Sequence, residues 1–153
     1  MKNRKISLIA MILLLAICLT SCSLIFGGVA DKGNVTVVVE TAEGYEVYQA
    51  NLEKVENKND GALGVLTHLS EGKDKLRLEK DHTGFITAIG SIEQDPAAGA
   101  YVMVYTSVAS DGYEGAPTVE YEGMTLYQSG VGVTSMTVEE GTVILFRLET
   151  FSY

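Results

Sequence analysis

Hydrophobic and polar residues alternate along several stretches of the chain, and the first clear alternation runs from 35 to 40. Val35, Val37 and Val39 alternate with Thr36, Val38 and Glu40, which is the period of a β-strand rich in β-branched residues. Glu43-Gly44 then supplies a turn, and residues 45–52 can return as a second arm, although their two faces are less clearly sorted. The pattern predicts a β-hairpin at the start of the folded part.

A helix is predicted after a polar break at residues 57–61. Asn59 and Asp60 can cap its first turn. Apolar residues then recur at helical spacing from Ala62 to Leu69, and Gly72 ends the pattern. The apolar stripe of this short helix must be buried, most economically on the sheet face that the hairpin forms.

The rest of the chain reads as short strands bounded by Gly, Asp or Pro. The predicted strands are 76–78, 85–89, 101–107, 118–121, 124–128 and 142–151. Two strands, one helix and then further strands are the order of an α+β domain. The predicted fold class is therefore α+β, with one short helix packed on a mixed or antiparallel sheet.

The first residues differ from the rest and carry the pattern of an export signal. Basic residues occur at positions 2, 4 and 5, an apolar run extends from Ile6 to Leu19, and Leu19-Thr20-Ser21-Cys22 has the form of a lipobox. A lipobox has small residues before the cleavage site and, after it, a cysteine whose thiol accepts diacylglycerol as a thioether. We therefore expect residues 1–21 to be a lipoprotein signal peptide and Cys22 to be the lipidated first residue of the mature protein.

This prediction places the mature protein on the extracytoplasmic face of the cell membrane, with the acyl chains of Cys22 in the lipid bilayer. Residues 22–33 contain three glycines and few core candidates, which indicates a flexible tether, and residues 34–153 form the domain. The alternative is an uncleaved anchor, because Ser23 to Phe26 can extend the apolar run to the roughly 20 residues that a spanning helix needs. Both alternatives leave the domain outside the cytoplasm.

Charge and cysteine content exclude several classes of function. The net charge is −9, and removing the three basic residues of the signal peptide leaves −12 for the mature protein. Nucleic-acid binding and a basic grip on anionic lipid both need clustered Lys or Arg, so neither is expected. Cys18 leaves with the signal and Cys22 carries lipid, so the domain has no thiol for a disulfide, a nucleophile or a zinc site.

The residues that could support catalysis or metal binding do not form a known motif. His68 and His82 are the two histidines, and neither belongs to a ligand pattern such as HExxH. Glu120 and Glu122 fall on one face of a predicted strand with Tyr121 pointing inward, which is typical of an alternating strand with its polar side in water. The sequence also has no nucleophile elbow, P-loop or dinucleotide fingerprint, so it predicts a protein that is not an enzyme and has no metal site.

Among the residue types that often form binding surfaces, tyrosine is the enriched one, with eight Tyr and no Trp. It combines a flat apolar ring with a polar tip, which suits binding surfaces as well as sheet cores. Tyr101 and Tyr105 share a strand face, which favours a core position for both, whereas Tyr113 lies in a polar loop that contains glycine. Tyr113 and Tyr127 are therefore the first candidates for ligand contacts, and Tyr101 is the third.

The order of several segments resembles a known family. These segments are Val35 to Val39, Gly61 to Leu66, Phe85 to Gly90, Ala100 to Tyr105 and Met136 to Phe146. In this order they are similar to the DUF4430 domains, which are themselves similar to the C-terminal β-grasp domain of transcobalamin and intrinsic factor. The chain departs from the family at Tyr101, where a Trp is usual, at Ser91, which follows Gly90 in place of an Asn-Gly pair, and at Thr142, which replaces an Asp.

The resemblance implies a β-grasp fold for residues 34–153 and, by family analogy alone, a corrinoid as ligand. Two functions stay open. The first is a membrane-tethered module that binds a small molecule or a surface partner through loops at one end of the sheet. The second is a structural or interaction lipoprotein that engages another envelope protein through an exposed sheet edge. A concave, aromatic-lined pocket favours the first, and a long uncovered edge strand favours the second.

Overall fold

The structure is a computed structural model that describes residues 27–73 and 75–152, so Cys22 and the predicted signal peptide lie outside the described residues. The elements, in chain order, are β1 (Asn34–Thr41), β2 (Gly44–Asn51), α1 (Gly61–Glu71), β3 (Leu78–Lys80), β4 (Ile86–Ile89), β5 (Ile92–Glu93), β6 (Ala100–Thr106), β7 (Thr118–Tyr121), β8 (Met124–Gln128) and β9 (Val143–Thr150). Short 3-10 turns join some of them, at Leu52–Lys54, Lys58–Asp60, Pro96–Ala98 and Ala109–Asp111.

Six strands form one mixed sheet in the order β2-β1-β9-β6-β8-β7, and β3, β4 and β5 form a second, smaller sheet. Within the large sheet β1 and β9 run parallel, and the other neighbouring pairs are antiparallel. The described part of the chain therefore has the predicted class, α+β, with one short α-helix beside a mixed sheet.

The hairpin predicted at the start of the domain is confirmed. β1 pairs with β2 from Asn34 opposite Asn51 to Thr41 opposite Gly44. The hydroxyl of Thr41 donates to the carbonyl of Gly44 at 3.1 Å and accepts from the N–H of Glu43 at 3.2 Å, which closes the turn. Gly44 has a φ of 140°, a conformation that favours glycine at this position.

The predicted helix is also confirmed, as α1. Asp60 occupies its N-cap position without a side-chain hydrogen bond, and at the other end the N–H of Gly72 donates to the carbonyl of His68 at 3.0 Å. Gly61 begins the helix with a φ of 52°, and a Cβ there would lie 2.6 Å from the carbonyl oxygen of Met136. The helix start is therefore packed directly on the backbone of the segment 133–136.

The small sheet departs from the predicted strands. The sequence predicts strands at 76–78 and 85–89, whereas β3 is Leu78–Lys80 and β4 begins at Ile86, which leaves Phe85 outside the strand. β5 has no counterpart in the prediction, because two residues give no readable alternation. The turn at Gly90, with a φ of 55°, brings β5 back beside β4.

The main core lies between one face of the large sheet, α1 and the small sheet. Val35, Val37 and Val39 of β1 are fully buried on this face, as their alternation predicts. Leu66 of α1 and Ile89 of β4 belong to the same buried cluster. The helix therefore covers the sheet face on which the sequence places it.

Part of the opposite face of the large sheet is also buried, and Val38 lies on it. This side chain is fully buried in a second cluster with Tyr105 and Leu145. The sheet curls around the cluster, so that its edge strands meet through Tyr45 of β2 and Tyr121 of β7, whose ring centroids are 5.1 Å apart at an interplanar angle of 84°. Curling of the sheet therefore buries Val38 on a face of β1 that also carries the polar residues Thr36 and Glu40.

Part of the predicted tether lies against the domain. The N–H of Val29 donates to the carbonyl of Lys58 at 3.0 Å, and the N–H of Ala30 donates to the carbonyl of Val138 at 2.7 Å. The ammonium of Lys58 also lies 3.0 Å from the carboxylate of Asp31. The last part of the tether segment is thus attached to the folded unit. None of the helices in the described residues is long and apolar enough to span a membrane.

Candidate functional site

An open groove of about 360 Å³ lies on the side of the large sheet that faces the small sheet. Val102, Val104 and Phe146 form its floor, and its two walls are the segments 83–86 and 129–134. All of the lining residues are uncharged. Both its size and its apolar lining are typical of sites for small molecules, which measure about 300–1,000 Å³.

One wall of the groove is a tight turn that presents Phe85. The carboxylate of Asp81 accepts from the N–H and the hydroxyl of Thr83, at 2.8 and 2.6 Å, and from the N–H of Phe85 at 3.1 Å. The hydrogen bond from the Thr83 hydroxyl is the main cause that lowers the pKa of Asp81 below its usual value, so the acceptor is ionised at neutral pH. The turn leaves the Phe85 side chain 74% exposed at the rim.

The other wall is the loop 129–134, which is attached at its start and exposed at its tip. The N–H of Ser129 donates to the carbonyl of Val104 at 2.9 Å, and the N–H of Gly130 donates to the carbonyl of Asp111 at 2.8 Å. The hydroxyl of Ser129 donates to the carbonyl of Val131 at 2.9 Å. Val131 itself is 39% exposed. Phe85 and Val131 are therefore two exposed apolar side chains, one on each wall.

A buried carboxylate, Asp111, connects this loop to the segment that follows it. Its two oxygens accept from the N–H of Thr137 at 2.6 Å and from the Thr137 hydroxyl at 3.2 Å. Burial is the main cause that raises the pKa of Asp111 above its usual value. The hydrogen bonds from Thr137 lower this pKa, and the negative charge of Glu139 raises it further. Asp111 is thus a positioning residue for the groove wall.

The raised pKa gives Asp111 a defined effect on stability. Because the folded protein binds this proton more tightly than the unfolded chain does, the contribution of the carboxyl to the free energy of unfolding falls as the pH rises through its folded pKa. We expect the wild type to gain stability relative to Asp111→Asn when the pH is lowered from about 7 toward the unfolded pKa of about 4. Urea unfolding of both proteins at each pH measures the difference, and a change in the opposite direction contradicts the assignment.

Tyr113, the first predicted ligand contact, lies beside the groove and is not among its lining residues. A Cβ on Gly130 would lie 3.1 Å from the Tyr113 ring, so the ring packs against the groove loop. The hydroxyl of Tyr113 donates to the side-chain oxygen of Gln128 at 2.7 Å, while 51% of the residue is exposed. Tyr113 supports the loop in this structure, and its role as a ligand contact stays a prediction.

Tyr127 and Tyr101, the other two predicted contacts, lie near opposite ends of β6. Tyr127 is half-buried on β8, opposite Thr106. Tyr101 is half-buried opposite Glu149, and its ring centroid lies 6.2 Å from that of Phe151. Neither tyrosine lines the groove, so the structure does not bring the three predicted contacts into one site.

A polar cluster lies on the second buried face. Tyr105, which the sequence places in the core, is buried, and its hydroxyl donates to the carboxylate of Glu149. Arg147 lies between Glu40 and Glu149, at 3.4 and 3.7 Å from their carboxylate oxygens. Burial, followed by the hydrogen bond to Glu149, raises the pKa of Tyr105 above its usual value, so the hydroxyl is a donor at neutral pH. The charges are paired with one another, which indicates a structural role.

The histidines and the acidic pair do not come together in the described residues. His68 lies on α1, and His82 lies in the turn before β4. Glu120 is exposed on β7, whereas Glu122 lies in the β7–β8 turn with a φ of 49°, so the expectation that the two share a strand face is wrong. Across residues 27–73 and 75–152, no group of three or more His, Cys, Asp or Glu side chains is placed to hold a metal ion.

The residues that sequence reasoning missed are Phe85 and Val131. The sequence does contain a signal for Phe85. This residue follows a polar turn, and in the alternating pattern it lies on the face opposite to Ile86. Val131 lies between two glycines and carries no such signal. Its position near Phe85 depends on tertiary packing that local patterns do not encode.

Comparison with solved structures finds matches to this chain. No protein-family model matches the chain, and no curated protein matches it. The chain is similar to a solved structure from Ruminococcus gnavus ATCC 29149, named a "putative metal binding protein", with a TM-score of 0.49 and 14% sequence identity over 79% of this chain and 100% of that one. This likeness is too distant to assign a family or a function.

Proposed function

We propose that the protein is a membrane-anchored extracytoplasmic lipoprotein whose domain binds a small, uncharged and largely apolar molecule in the groove. The observation that carries this proposal is the groove itself, which has the size of a small-molecule site, an uncharged lining and an exposed aromatic side chain at its rim. The domain is a binding module without catalytic activity, and Cys22 supplies its membrane anchor.

The strand order supports a β-grasp domain similar to the DUF4430 family. A hairpin is followed by a helix that packs on the sheet, and the last strand, β9, inserts next to β1 and parallel to it. These are features of the β-grasp arrangement that the resemblance implies. The β7–β8 hairpin extends the same sheet at the far side of β6.

The dimensions of the groove favour a smaller ligand than the resemblance implies. A corrinoid is a large ring system with many amide side chains, whereas a groove of about 360 Å³ with an uncharged lining suits a smaller neutral molecule or the apolar end of a larger one. A corrinoid remains the alternative ligand by family analogy, and the test below includes it.

The second function, partner binding through a sheet edge, has less support. β2 is an edge strand of eight residues. However, the ring of Tyr45 on β2 packs against Tyr121, and the carboxylate of Glu46 accepts from the N–H of Ser91 at 3.3 Å. Side chains of this strand are thus engaged by β7 and by the small sheet, while the groove is open.

The proposal is tested with Nile red, a neutral apolar dye, and the lipid-free chain from Ser23 onward, which contains both buried clusters. We expect Phe85→Ser to raise the Kd about tenfold, since an aromatic anchor contributes on the order of 1–2 kcal/mol. Because Phe85 is largely exposed, the melting temperature should change little. Cyanocobalamin is added as a competitor to test the corrinoid alternative.

The matched control is Phe151→Ser, which removes the same exposed side chain from a position outside the groove. Its Kd for Nile red should equal that of the wild type. Equal weakening by the two substitutions, or no dye binding by the wild type, contradicts the groove as the binding site.

A further inference from the structure

The N-terminal end of the described chain joins the folded unit directly beside the groove. A Cβ on Gly27 would overlap the carbonyl of Ser135, so the two backbones are in contact there. Two residues later, Val29 forms a parallel β-bridge with Val138. Ser135 follows Thr134, the last residue of the groove wall. The attachment point of the tether and one wall of the groove therefore belong to the same short segment, 129–138.

The length of chain before this point limits how far the groove can lie from the bilayer. Cys22 precedes Gly27 by five residues. Five residues span at most about 18 Å when fully extended. Once Cys22 carries its acyl chains, Gly27 and the Ser135 carbonyl that it contacts are held within this distance of the lipid headgroups.

The lining of the groove is suited to an acyl chain from the interior of a bilayer. Its lining has no charged side chain, although the mature protein has a net charge of −12 after removal of the three basic residues of the signal peptide. Phe85 and Val131 expose apolar surface on the two walls. Exposed apolar groups that flank a groove mark sites of lipid or ligand contact.

We infer that the groove binds one acyl chain of a phospholipid from the membrane that anchors the protein, a ligand class that rests on the proposed function. The apolar chain lies on the floor formed by Val102, Val104 and Phe146, between the walls that carry Phe85 and Val131. The headgroup stays in water at the groove opening. Because the domain is strongly acidic, a zwitterionic headgroup is favoured over an anionic one.

The experiment uses the processed, lipidated protein in phosphatidylcholine vesicles that contain a fraction of phosphatidylcholine with a diazirine at the end of one acyl chain. After irradiation, mass spectrometry locates the crosslinks. The end of an acyl chain lies deep in the bilayer, so crosslinks to the floor residues Val102, Val104 and Phe146 are expected only if a chain has entered the groove. Phe85→Ser should lower this labelling at least fivefold, and Phe151→Ser should leave it unchanged.

Two results overturn the inference. One is the absence of crosslinks on the groove floor, including the case in which only the exposed rim is labelled, which indicates contact with the bilayer surface. The other is equal labelling in the Phe85→Ser and Phe151→Ser proteins. Nile red binding to the lipid-free chain separates the two proposals, because dye binding without acyl crosslinks rejects the lipid and retains the groove as a site. Loss of both signals rejects the groove itself.

Discussion

Replacing Cys22 with serine is expected to abolish acyl labelling of the protein and to leave an unprocessed precursor. The thioether to diacylglycerol requires a thiol at the first position after the cleavage site, and no other residue between Ser23 and Tyr153 has one. Metabolic labelling with a palmitate analogue, followed by electrophoresis, detects both effects in one experiment.

Cys18→Ser is the matched control, because it removes the other thiol of the chain from within the apolar run of the signal. This variant should be labelled and processed like the wild type. Wild-type protein that is released into the medium without an acyl label contradicts the lipoprotein assignment.

Replacing Phe146 with alanine is expected to produce the largest loss of stability among the substitutions considered. Phe146 is 1% exposed, belongs to the main core and forms part of the groove floor. Truncating a buried Phe to Ala removes its burial and leaves a cavity, which together cost about 3–5 kcal/mol. Urea unfolding measures this loss, and the more conservative Phe146→Leu keeps enough folded protein for Nile red binding, which should be weakened.

The neighbouring residue on the opposite face provides the control. Leu145 is equally buried, at 1% exposure, but it belongs to the second cluster and does not line the groove. Leu145→Ala should lose about 2–5 kcal/mol and Leu145→Val less, and Leu145→Val should keep the wild-type affinity for Nile red. If Leu145→Val weakens dye binding as much as Phe146→Leu does, stability and not the groove floor determines affinity.

The elements that local chemistry defines could be predicted from the sequence. Alternating valines and the Glu43-Gly44 turn specify the first hairpin, and the spacing from Ala62 to Leu69 specifies α1, because each pattern reports which side of a single element is buried. The alternation pattern likewise predicts β7 and β8 at the bounds that the structure has. It also places Tyr105 in the core, where the structure buries it.

The features that depend on long-range packing could not be predicted in this way. Val38 is buried in the cluster that the curled sheet encloses, where the edge strands meet through Tyr45 and Tyr121, and the pattern of β1 alone does not predict this curling. The groove has the same origin, since Phe85 and Val131 come from distant parts of the chain. Tyrosine enrichment instead favours Tyr113, which supports a wall of the groove from outside its lining.

Methyl NMR of the lipid-free chain is the sharpest test of the groove as the ligand-binding site. Valine methyl groups are distributed over both faces of the large sheet, so a titration of the lipid-free chain with Nile red contains its own control. Binding in the groove predicts shifts for the floor valines Val102 and Val104, and no shifts for Val38 and Val143 in the second cluster. Shifts at Val38 and Val143 with an unchanged groove floor would contradict it.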